Sequence, residues 1–107
     1  MNKYARYNNI IGIIVDDNVT KTQIAIKMGS SNVKILVDKD KVKVANTPQE
    51  LIEIGDLYQT SIGDETLLLH YKDNSMGKMI FDAHKNKVTK ILTPNSNGGY
   101  DKQWEVE

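Results

Sequence analysis

Apolar and polar residues alternate with a period of two along most of this chain, and short polar clusters break the alternation every eight to twelve positions. The first run, Ile10-Ile11-Gly12-Ile13-Ile14-Val15, is β-branched and reads as a strand buried on both faces. Gly12 inside it predicts a bulge or a close approach of backbones. Asp16-Asp17-Asn18 predicts a turn, because short carboxylate and amide side chains bond their own backbone there. Over residues 22–28, Ile24, Ile26 and Met28 share one face while Gln23, Ala25 and Lys27 share the other, as in a half-buried strand. Residues 29–32 read as a hairpin turn. Val33, Ile35 and Val37 then alternate with Lys34 and Leu36. Residues 38–41 turn the chain again, and Val42 and Val44 alternate with lysines. The first 46 residues thus predict a meander of four strands, preceded by a loose arm or short edge segment over residues 1–9.

The texture changes at Thr47-Pro48-Gln49-Glu50. Thr47 can cap a helix, Pro48 suits its first position and Glu50 completes a capping pattern. Gly55 can end it in the left-handed conformation. A helical turn over residues 48–53 is the only helix predicted. Strands follow at 57–62, 66–71, 78–82 and 87–93, with a short last strand carrying Trp104 and Val106. Turns are predicted at 63–65, 72–77 and 83–86, and a glycine-rich loop at 95–99. This spacing predicts an all-β fold with one short helix, an antiparallel meander joined to a small SH3-like barrel or sandwich. A chain of 107 residues is the size of one domain. It is read as a single domain, 1–107, with the meander over 1–46 and the helix plus barrel-like region over 47–107.

Composition narrows the class. The longest apolar run is far short of the ~18–20 residues a membrane-spanning helix needs, and no stretch reads as a signal peptide. There is no cysteine, so disulfides and thiolate metal sites are excluded, and a reducing cytoplasm is the expected compartment. Net charge is zero. It is unevenly spread, however: residues 1–46 carry eight basic and four acidic side chains, and residues 47–107 carry six and ten. Such a division predicts a basic face and an acidic face.

Groups suited to catalysis are sparse in this chain. No serine or threonine sits on a strained strand-to-helix elbow, and His70 and His84 stand alone in sequence. The paired acids Asp16-Asp17, Asp38 with Asp40, and Asp64-Glu65 fall in predicted turns, where carboxylates serve the turn rather than a metal. The 95–99 loop follows a strand but opens no helix and lacks the lysine of a phosphate-binding loop. The chain is therefore read as a non-enzyme without cofactor. Basic and aromatic groups do interleave at Lys3, Tyr4, Arg6 and Tyr7, and Lys39, Lys41 and Lys43 follow along the meander. Small barrels bind single strands with such groups, so nucleic acid is the alternative partner. Its weakness is the zero net charge and the single arginine.

The block Thr47-Pro-Gln-Glu-Leu-Ile-Glu-Ile-Gly-Asp-Leu57 and the tail from Val88 through Thr93-Pro94-Asn95 and Tyr100 to Trp104 resemble small accessory proteins of phages and prophages of Gram-positive bacteria. The resemblance covers residues 47–107. It implies no transferable activity and no site residues. It does imply a protein that docks on a host component and blocks it, such as a nuclease of CRISPR immunity or another defence effector. On that reading the acidic half, with Asp64 and Glu65, imitates nucleic acid, and Tyr100 and Trp104 are candidate contact residues. A sponge for a signalling nucleotide, with an enclosed pocket, is a further alternative. Lysines such as Lys41 and Lys43 are of the kind that block a sheet edge, and the oligomeric state is left open.

Overall fold

The computed structural model describes residues 3–28 and 32–106, and these form antiparallel strands in two sheets with one α-helix. The all-β class expected from the alternation is the fold observed. The chain divides into two compact units, residues 1–51 and 52–107.

The first unit contains β1 (Tyr4–Tyr7), β2 (Ile10–Asp16), β3 (Gln23–Lys27), β4 (Lys34–Asp38) and β5 (Lys43–Ala45). They form one sheet in the order β4-β3-β2-β1-β5. The expected strands are present as β2 to β5; the turn expected at residues 29–32 lies, Asn32 apart, outside the described residues. The segment read as a loose arm or short edge segment differs on both counts. Its residues 4–7 are a strand flanked on both sides, paired with β2 and β5. Small residues explain why it fits: Ala5 is fully buried opposite Gly12. A side chain on Gly12 would place its Cβ 2.8 Å from the Lys27 carbonyl oxygen, so Gly12 marks a close approach. The bulge lies three residues on, where Val15 is the extra residue between Ile14 and Asp16. Ala5, Ile24, Ile26 and Val37 form the core of this unit, with Tyr7, Ile10, Ile14, Ile35 and Val42 packed against it.

The helix expected over 48–53 is a single 3₁₀ turn, Pro48–Leu51, begun by Glu50 N–H donating to Thr47 O at 3.3 Å. Just past it, Glu53 N–H bonds forward to the Asp56 carboxylate at 2.8 Å instead of back along a helix. Gly55, with φ +98°, serves that bend rather than a helix end.

The second unit contains β6 (Leu57–Ile62), β7 (Glu65–His70), an α-helix α1 (Ser75–His84), β8 (Lys90–Pro94) and β9 (Tyr100–Glu105), with sheet order β7-β6-β8-β9. The turn at 72–77 and the strand at 78–82 are corrected: residues 75–84 are helical. β7 and β8 both run antiparallel to β6 on its two sides. They are therefore parallel to each other, and the chain must cross from one end of the sheet to the other, which a helix does compactly. Asn74 caps α1, its side chain accepting from Gly77 N–H at 2.6 Å. Four strands and this helix replace the five strands expected after Gly55. Asp56, Tyr58, Thr60, Val88, Ile91 and Thr93 are its most deeply buried side chains.

Candidate docking surface

Phe81 is the one buried side chain of α1. Its ring meets Tyr58 and Tyr71 edge-on, with centroids 5.0 and 5.1 Å apart. Such pairs contribute about 0.5–1.5 kcal/mol each beyond area burial. Burial pushes the Tyr58 phenol pKa up, with Tyr71 adding to the shift. The apolar stripe of the helix lies elsewhere. Met76, Met79, Ile80 and Ala83 recur at the spacing of one helical face, and this face is turned to solvent, with Met76 67% and Met79 63% exposed. Charges flank it: Lys78 is ion-paired to Asp73 at 3.1 Å, which holds the Lys78 ammonium pKa above its ordinary value.

Between α1 and β7 lies a cavity of about 660 Å³. Tyr58, Leu68, Leu69 and His70 line it from the sheet, Lys72 and Asn74 from the connection, and Ser75, Met76, Gly77 and Ile80 from the helix. Gly77 is required there, because a Cβ would fall 2.8 Å from Lys72 O. β7 is an end strand of its sheet, and Leu68 on it is 52% exposed. Crest, cavity and edge strand thus form one largely apolar surface on the second unit, of the kind that marks an interaction site.

The residues singled out in the sequence are mostly dispersed. Lys3 is exposed and Tyr4 half-buried. Arg6 is only 3% exposed. Its Nε donates to Asn8 O at 2.7 Å, Nη1 to Leu51 O at 3.1 Å and Nη2 to Asn9 Oδ1 at 3.2 Å. This arginine ties β1 to the 3₁₀ turn, and Tyr7 packs on the core, so the interleaved basic and aromatic groups do not share a surface. Lys39, Lys41 and Lys43 are exposed on and beside a 3₁₀ turn, Lys41 paired to Asp38 at 3.5 Å. Asp64 and Glu65 are exposed at the tip of the β6–β7 hairpin. Tyr100 and Trp104 lie on opposite faces of β9: Tyr100 pairs with Pro94 and Trp104 with Ile91, the parity being switched by the extra residue Gln103. Tyr100 instead meets His70, ring centroids 6.4 Å apart. His84 ends α1, its Nδ1 2.9 Å from Ile80 O.

Many carboxylates are engaged locally. Asp16 accepts from Asn18 N–H, Asp101 from the Asn95 amide, and Glu105 from Lys102 at 2.9 Å, with Lys90 at 3.4 Å. Among the described residues no three His, Asp or Glu side chains gather as metal ligands, and no helix is long and apolar enough to cross a membrane. The surface residues that sequence reasoning missed are Met76, Met79 and Ile80; the signal for them was the cap Asn74 followed by that helical spacing.

No protein-family model matches this chain, and no curated protein or solved structure matches it.

Proposed function

We propose that this chain is a non-catalytic binding protein that docks on another protein through the apolar crest of α1, and that the partner is a bacterial host protein blocked in the cytoplasm by a phage product. The observation that carries the docking surface is the helix's inverted amphipathicity: Phe81 holds it to the sheet, and its apolar stripe of Met76, Met79 and Ile80 faces outward. Unbranched thioethers adapt to irregular surfaces and are common at binding faces. The phage setting rests on the resemblance over residues 47–107, and a defence effector such as a CRISPR nuclease is the class of host partner it points to.

Affinity capture from a Gram-positive host lysate, run in parallel with the wild-type chain and a Met76→Lys/Met79→Lys variant, tests this reading. Burying such side chains contributes roughly 1.5–3 kcal/mol each. The double variant is expected to lose at least ~30-fold in affinity for the captured protein while keeping its melting temperature. A partner retained equally by both chains contradicts the reading. Binding that collapses between low and moderate salt favours nucleic acid instead.

A further inference from the structure

The edge of β7 is an unpaired ladder with a definite phase. Tyr71 N–H donates to Asp56 O at 2.9 Å, and the register sets Leu69 opposite Tyr58 and Leu67 opposite Thr60. Bonded and non-bonded positions alternate along an antiparallel pair. Leu67, Leu69 and Tyr71 therefore direct their backbone groups to the β6 side, and Thr66, Leu68 and His70 direct theirs to the free edge. These three positions are symmetric about Leu68.

The charges beside them are symmetric in the complementary sense. Exposed Asp64 and Glu65 stand at the start of β7, and exposed His70 and Lys72 at its end. Between them, Thr66-Leu67-Leu68-Leu69 carries no charge, proline or bulge, the devices that usually protect an edge strand.

We propose that β7 pairs antiparallel with β7 of a second copy of this chain, across a two-fold axis at Leu68. In that register Leu68 faces Leu68, Thr66 faces His70, and Asp64 comes opposite Lys72, twice per dimer. The outward positions of both strands coincide, so each of the three pairs exchanges backbone hydrogen bonds. Leu67 of the second copy comes beside Leu69, at the cavity lined by Tyr58, Met76 and Ile80. An axis normal to the sheet leaves both α1 helices on the same face of one continuous eight-stranded sheet. Two-fold contacts are self-complementary in this way.

The other edges fit less well. β9 carries the bulge at Gln103 and the charged Asp101, Lys102 and Glu105. β5 has three residues. β4 is charged at both ends, but its Asp38 is already paired to Lys41, and Lys34 lies directly across from Lys27. The β7 edge borders the α1 crest proposed for docking, but the two readouts are separate, this one being the mass of the isolated chain.

Light scattering or sedimentation equilibrium at micromolar to millimolar concentrations is expected to give twice the 12.1 kDa chain mass. Leu68→Lys is expected to give a folded monomer by circular dichroism, while Leu36→Lys on β4 remains dimeric. Lys72→Asp and Asp64→Lys, both at exposed positions, are each expected to raise the dimer Kd roughly five- to ten-fold, two ion pairs being lost per dimer. The two changes combined are expected to restore the Kd to within about three-fold. A wild-type monomer throughout that range overturns the proposal. So does a dimer that survives Leu68→Lys or dissociates with Leu36→Lys, or an absence of rescue in the charge swap.

Discussion

Single atoms decide several positions in this fold. At Gly12 a methyl group would press on the Lys27 carbonyl at 2.8 Å, and backbone cannot give way as a flexible side chain can. Gly12→Ala is expected to destabilise the chain by about 1–3 kcal/mol, read as a lower melting temperature with an unchanged β spectrum. Arg6 is a second such residue. Arg6→Met removes a buried donor fork and leaves the carbonyls of Asn8 and Leu51 short of a partner. The expected loss is about 2–3 kcal/mol, measured by denaturant unfolding. Its role was hidden in sequence, where an arginine between tyrosines reads equally as a nucleic-acid contact; only the fold shows the 3₁₀ turn brought to its guanidinium from 45 residues away. Glu105 gives a pH prediction. Hydrogen bonds from Lys102 and then Lys90 hold its carboxyl pKa below the ordinary carboxylate range. A group with a lowered folded pKa stabilises at neutral pH, and that contribution is lost as pH falls from the unfolded toward the folded value. Glu105→Gln is therefore expected to flatten the acid limb of the stability profile below about pH 5.

Among the elements, the strands were largely legible and the helix was not. β3 alternates because one face lies on a core and polar residues stand between, whereas β2 was legible as an uninterrupted β-branched run closed by Asp16-Asp17-Asn18. α1 failed for a physical reason. Its apolar residues at the 76-79-80-83 spacing do not face the core, Phe81 does, and the mixture Lys78-Met79-Ile80-Phe81-Asp82 reads as a short strand. Gly77 near its start also looks like a turn. The structure gives that glycine a different purpose, room for the Lys72 backbone. Alanine normally improves a helix over glycine by roughly 1 kcal/mol. Here Gly77→Ala is expected to lower the melting temperature instead, as is Asn74→Ala through loss of the cap, about 0.5–2 kcal/mol. The bulge at Gln103 was equally invisible: residues 100 and 104 share parity in sequence, yet one extra residue puts Tyr100 and Trp104 on opposite faces.

For the molecule as a whole, the uneven charge of the two halves matters less than where apolar surface is left open. The first unit closes its core around Ile24, Ile26 and Val37 and holds its arginine inside. Both units leave apolar side chains more than half exposed, Val33, Leu36 and Val44 in the first; in the second, Leu68 and Met76 border one cavity and Met79 follows Met76 on the same helix face. A functional reading based on composition missed this surface, since exposure is a property of the fold. The central claim is that α1 meets a partner with the crest it turns away from its own sheet. Oxidative footprinting of the captured complex tests it most directly. The account predicts that sulfoxide formation at Met76 and Met79 slows in the complex while Met28, in the other unit, reacts as in the free chain. Unchanged rates at Met76 and Met79 on binding would contradict it.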